Sequence, residues 1–379
     1  MRMGWHRRRA PRWAHCLATP ADPLSPPDLS AMFSTLNLKA AFVAGAATVL
    51  LVVSILVGSR RLANFDPALI AYLFGCIFAC FGVVYRYTVW LQRPPTWRYF
   101  RSAWQLFFSG RIFVYAWELI RHFVVDFVGQ RFIRRRGATR GYGHLLMAGG
   151  CTLAFAVTFP LVFGWVHFGL KPGGIDTYEA YVLGFKTIEF PLHTWMAEII
   201  FNALNWSSFL VIAGVMLLMR RRLTNTGQIA IQTFEGDWLP LILLLAISVT
   251  GLGITLDYRL MGGEAHQFMA IIHAITVILF LVWMPFGKFY HIIQRPSQLG
   301  IAIYRRAGAD GPQAVCPHTG QEFTSQLHVD DLKVVTRQLG FDYSRPDGSS
   351  HLDLSPQGKR AALAKAHLAA RKKSGALFG

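Results

Sequence analysis

Six stretches of this chain run apolar for about twenty residues or more, and the polar residues between them gather in short, arginine-rich clusters. A helix needs about 20 apolar residues to cross the hydrocarbon core of a bilayer. The pattern therefore predicts an all-α, polytopic transmembrane helical bundle with spans over 38–57, 67–91, 142–168, 191–219, 238–256 and 264–295. Residues 92–140 behave differently: aromatic and aliphatic residues recur at helical spacing among evenly scattered arginines, too charged to cross. They predict amphipathic helices lying along the membrane surface, with His122 as a surface or packing histidine. The organisation expected is a basic, Pro-rich disordered leader over 1–31, which an over-extended start before Met32 would also explain, and two N-terminal spans over 32–91. The surface helices of 92–140, a four-helix unit over 141–296 and a small tail domain over 297–379 follow.

Composition sharpens this picture in two places. The net charge of +18 looks like a nucleic-acid signature until it is mapped, because most Lys and Arg flank apolar spans and serve as topology signals. Clusters after spans two and four, before span three and after span six fall on one side. The positive-inside rule makes that side cytoplasmic and puts both termini there, in a cell inner membrane, with Arg60 and Arg61 as a minor violation. The five cysteines, Cys16, Cys76, Cys80, Cys151 and Cys316, form no CxxC pair, so this chain alone builds no iron–sulfur cluster. In the tail, CPHTG and SPQGKR resemble stripped zinc knuckles; a structural turn is the expectation, and a metal held by Cys316, His318 and His328 the alternative.

Histidines inside apolar spans carry the candidate chemistry, since ionisable groups there cost energy and face partners. His273 and His291 stand eighteen positions apart in the last span. As one continuous helix, that spacing is five turns, or roughly 27 Å on one face. His144 opens the third span at the same end as His291. Two neutral imidazoles from facing helices suit bis-histidine ligation of a haem, with the small residues of MAGG after His144 letting the macrocycle approach. Arg140, Lys288 and Arg295 stand at the right level to pair with its propionates. The competing reading is two interfacial histidines reaching for water.

At this point a family resemblance emerges. The segments LILLLAISVTGLGITL and IIHAITVILFLVWMPFGKFYHIIQRP resemble the last two helices of the cytochrome b (gamma) subunit of respiratory nitrate reductases. Relatives of that family include the membrane subunits of heterodisulfide reductase and of sulfite-reductase-linked complexes. The resemblance covers about residues 140–296. It implies haem b, one or two per chain, ligated at the inner site by His144 and His291. It also implies quinone chemistry and a cytoplasmic iron–sulfur or molybdenum-type partner on the basic face. The family's second histidine on the earlier helix is replaced here by Ala154, so an outer haem on His273 must take His193 or His167 as partner, with His266 a further candidate; otherwise His273 is a buried, hydrogen-bonded histidine or a quinone contact.

Glu198, Asn202 and Asn205 share one helical face near His193, and suit either a quinone site or interhelical hydrogen bonding. The chain carries no cluster motif or flavin fingerprint, so the resemblance implies an electron-transfer subunit of an oxidoreductase complex, without a complete active site of its own. Two rival readings remain. One is a proton-coupled transporter using His193, Glu198, Asn202 and Asp257, for which no internal repeat is visible. The other is a haem-free membrane anchor recruiting an enzyme through residues 92–140 and the tail.

Overall fold

The structure is a computed structural model that describes residues 36–345 and 348–375. The expected leader over 1–31 lies outside the described residues. Six helical segments are long and apolar enough to cross a membrane, and the chain is a polytopic helical membrane protein. Helix α1 (Leu38–Gly58) starts where the Asn37 side chain accepts from the Ala40 amide, satisfying an orphan donor of the first turn. Helix α2 (Ile70–Leu91) is preceded by a 3-10 turn, Pro67–Leu69, capped by Asp66. Two amphipathic helices follow as expected, α3 (Pro94–Phe107) and α4 (Ile112–His122), exposing Trp97, Trp104, Phe108, Phe113 and Trp117.

Helix α5 (Ala138–Val162) ends earlier than the apolar run does. The third span was expected to reach Phe168. Instead an antiparallel sheet, β1 (Val166–Leu170), β2 (Thr177–Val182) and β3 (Phe185–Pro191), covers this end of the bundle in the order β1-β2-β3. The expected fourth span likewise divides: strand β3 takes Pro191, a short α6 (Trp195–Phe201) follows, and the span proper is α7 (Ala203–Thr224). Helix α8 (Leu239–Leu260) completes the fifth span behind a π-helical turn, Phe234–Trp238.

The last span departs most from expectation. Helix α9 runs only from His266 to Trp283; a 3-10 turn (Lys288–Tyr290) and a short helical turn (His291–Gln294) come after it. Pro285 lacks an amide hydrogen and ends the ladder. The Arg86 guanidinium of α2 donates to the freed carbonyls of Pro285 (2.5 Å) and Phe286 (2.8 Å) and lies over the Tyr290 ring. His273 and His291 therefore belong to different helices, and the straight-helix separation of roughly 27 Å does not apply.

Close approach at small residues joins α5 to α7: a Cβ on Gly214 would lie 2.4 Å from the Met147 amide, and one on Gly150 2.7 Å from the Ser207 carbonyl. Such contacts let helix backbones meet in the absence of a hydrophobic drive between helices. Val162, Val211, Val215, Leu244, Phe280 and Leu281 fill the centre of the bundle. The tail comprises α10 (Gly300–Asp310), a hairpin of β4 (Gln313–Val315) and β5 (Glu322–Ser325), α11 (Gln326–Gln338) and α12 (Pro356–Ser374). It is fastened to α3 by buried Asp331, which accepts from Arg98 Nε at 2.6 Å and from the Tyr304 hydroxyl at 2.9 Å.

Candidate haem site

His144 lies in the second turn of α5 and His291 opens the turn after α9, yet their ring centroids are 6.5 Å apart with the planes at 62°. Among the described residues no other two histidine rings are in contact. A metal–imidazole bond is about 2 Å, and the ring centre lies roughly 1 Å behind the nitrogen, so imidazoles sharing one iron bring their centroids to about 6 Å. The observed spacing fits.

The second observation concerns tautomers. His144 Nδ1 donates to Gln130 Oε1 at 2.8 Å, and His291 Nδ1 donates to the Lys288 carbonyl. A carbonyl oxygen only accepts, so each Nδ1 carries its proton and each Nε2 keeps its lone pair. Neither Nε2 has a hydrogen-bond partner among the described residues. Metal-ligating histidines show this arrangement, with one nitrogen held by an oxygen and the other left for the metal.

Arg140 stands among Arg136, Arg221, Arg222 and Arg295, with no carboxylate paired to it among the described residues. Arg295 lies over the Phe132 ring at 4.6 Å, and burial together with the nearby Arg136 lowers its pKa. Apart from Arg222, which Asp237 pairs, this cluster of positive charge has no carboxylate partner among the described residues and suits carboxylates such as propionates. Lys288, the third expected propionate partner, is engaged elsewhere: its Nζ lies 2.6 Å from Asp237, which also takes Arg222 at 3.0 Å. Its role in this geometry is to hold the turn bearing His291. The glycines after His144 also differ in role from expectation. Gly150 serves the approach of α7, as Gly143 does just before His144, and of the two glycines in MAGG only Gly149 has open space beside it.

At the sheet end, the residues considered for an outer site do not converge. His273 Nδ1 shares a hydrogen bond with the Thr250 hydroxyl at 3.0 Å, and its ring lies against Gly251. His167 is on β1, stacked on Tyr181 at 4.7 Å, while His193 and His266 are exposed. Among the described residues no histidine ring faces His273, so this structure supplies no second bis-histidine pair. The Glu198 stripe is taken up by packing: Asn205 bridges Asn202 (2.9 Å) and Thr255 (2.9 Å), and Arg259 reaches Asn202 (3.3 Å) and Glu198 (3.6 Å). Asp257 accepts from the Ala265 amide at 2.9 Å and fixes the turn into α9.

In the tail, Cys316 is buried beside Gly358, whereas His318 lies near Arg345 and His328 meets the Tyr99 hydroxyl at 3.2 Å. The three are not assembled, and no group of three metal-ligating side chains occurs among the described residues. Sequence reasoning missed Gln130 altogether. A glutamine in an Arg-rich amphipathic stretch carries no periodic signal, and only the fold brings it to His144.

Comparison with protein-family models, with curated proteins and with solved structures finds no match for this chain.

Proposed function

We propose that this chain is a haem b-binding electron-transfer subunit of a membrane oxidoreductase, working between the quinone pool and a redox partner docked on the arginine-rich face. The observation that carries the reading is the His144–His291 pair: two half-buried imidazoles 6.5 Å apart, each with Nδ1 held by a carbonyl oxygen. Both residues would ligate through Nε2. Bound haem would supply one-electron redox chemistry; the chain's own residues fix the ligands and set the local field.

Gln130 and Lys288 hold the two rings in one tautomer and orientation. Arg140 and Arg295 would hold the propionates and stabilise negative charge at this end. By the positive-inside rule this end is cytoplasmic, so the partner is a cytoplasmic iron–sulfur or molybdenum-type subunit and the membrane an inner one. With the Glu198 stripe engaged in interhelical bonds, that stripe offers a quinone little beyond the exposed Glu198 carboxylate. One inner haem is the content this geometry supports.

The test is a dithionite-reduced minus oxidised spectrum of the detergent-purified chain, with a pyridine haemochrome assay. About one b haem per polypeptide is expected. Folded protein made with adequate haem supply and showing no haem absorbance would overturn the reading.

A further inference from the structure

Among the described residues Gln130 is the one strongly buried polar side chain that touches a residue of the proposed haem site, and the surrounding chain holds it in place. It is 7% exposed and has φ 48° and ψ 37°, the left-handed region that non-glycine residues rarely adopt. Such strain persists only where neighbours over-determine it. Here three features do so.

A π-helical turn, Phe123–Val128, directly precedes it; such turns are rare and concentrate at functional sites. Asp126 in that turn ties both flanks together, meeting His122 Nδ1 at 2.6 Å before the turn and Arg131 Nε at 2.9 Å just after Gln130. The Gln130 carbonyl then starts the short turn Arg131–Arg134, accepting from Ile133 at 2.9 Å and Arg134 at 3.1 Å. That turn lies directly on α5: a Cβ on Gly141 would come 2.5 Å from Arg134 Cγ and 2.9 Å from its Cα. Gly141 is three positions before His144, so the contact that only glycine permits delivers Gln130 to the imidazole.

From this arrangement we infer that Gln130 is a positioning residue for His144. Its carbonyl oxygen takes the Nδ1 proton, fixes the Nε2 ligand atom and makes the imidazole a stronger donor to iron. The inference rests on the proposed haem reading and deepens it: the surface segment 123–134 is a part of the haem site, set outside the bundle. A stronger donor stabilises ferric iron, so the bond holds the haem midpoint potential down.

The experiment uses the full-length chain, comparing Gln130→Leu, Gln130→Gly and Gln130→Glu by haem per polypeptide, redox titration and low-temperature electron paramagnetic resonance of the ferric form. Gln130→Gly relaxes the left-handed backbone, so it separates loss of the side chain from loss of fold. The Leu and Gly variants should bind haem about 10- to 100-fold more weakly, the range typical of outer-shell partners. The haem they retain should show a raised midpoint potential and shifted g-values. Gln130→Glu, a charged acceptor, should retain haem with a lowered potential.

Equal haem content, potential and g-values in wild type and both neutral variants would overturn the inference while leaving the bis-histidine reading intact. A lower melting temperature with unchanged potential and g-values would reduce Gln130 to a structural role. A folded wild-type chain without haem would remove both readings together.

Discussion

Arg86 donates to the carbonyl of Pro285 at 2.5 Å, two helices joined across 199 positions of sequence, and this bond seals the break that turns His291 away from the axis of α9. Without it the carbonyls of Pro285 and Phe286, at the break after α9, would lose their side-chain donor. Hydrogen bonds to a charged group contribute about 1.5–3 kcal/mol. Arg86→Ala is expected to lower stability by about that amount and to reduce haem per polypeptide, read by thermal unfolding in detergent and by haemochrome assay. Arg86→Lys should restore part of both, since an ammonium reaches fewer acceptors at once. An unchanged melting temperature and haem content in Arg86→Ala would show that the break holds itself.

The two ends of the bundle should respond differently to loss of a histidine. His144→Ala and His291→Ala are each expected to abolish the low-spin, bis-histidine spectrum and to lower haem per chain, because one remaining imidazole leaves the iron a single protein ligand. His273→Ala should leave about one haem per chain: the ring's hydrogen bond is to Thr250, and its loss is a matter of packing. Loss of half of a two-haem signal in His273→Ala would contradict the single-site geometry.

Asp331 fastens the tail to the surface helices. Its carboxylate is buried and takes Arg98, Tyr304 and, at 3.5 Å, Ser102. Asp331→Ala leaves buried donors unpaired, at a cost of about 1–3 kcal/mol. The tail should then be cut faster by a protease at low concentration, while the spectrum of the bundle stays unchanged. Equal cleavage rates would mean that the contact between α10 and α3 suffices to hold it.

Acidification should loosen the sheet before the bundle. The Glu189 carboxyl is held down to about 2, from an ordinary value of 4.5, by hydrogen bonds from Lys171 and Lys186. A folded value below the unfolded one means the contribution is complete above about pH 4.5 and disappears as the pH falls through about 2. Amide exchange in β2 and β3 should accelerate over that window in the wild type. Glu189→Gln should flatten the pH dependence in those strands; an equal rise in both proteins would assign the loosening to other groups.

Span number, the surface helices and the His144–His291 hypothesis were legible from the order of residues, because each depends on local periodicity or on charge beside an apolar run. Hydropathy placed α1 and α2 within three residues of their observed bounds, since nothing but length and caps sets them. It carried the third span through 163–168 and opened the fourth at Pro191, leaving the polar–apolar alternation between them unassigned. Such alternation marks a strand only when a partner strand is present to receive it, and pairing of β1, β2 and β3 is non-local.

The sequence by itself determined that the chain crosses a membrane as helices, that one end is arginine-rich, and that His144 and His291 stand at that end. Tertiary structure decided the rest of the site. Whether two imidazoles meet depends on the break at Pro285, on Arg86 closing it from another helix, and on Gly141 admitting the turn that carries Gln130. The Arg86 bond spans 199 positions and the Gln130–His144 bond 14, and contacts of that kind leave no periodic trace along the chain. A straight helix would have aligned His273 with His291, but the break at Pro285 puts them on different helical segments, and strand pairing holds His167, one of the partners expected for His273, in the sheet.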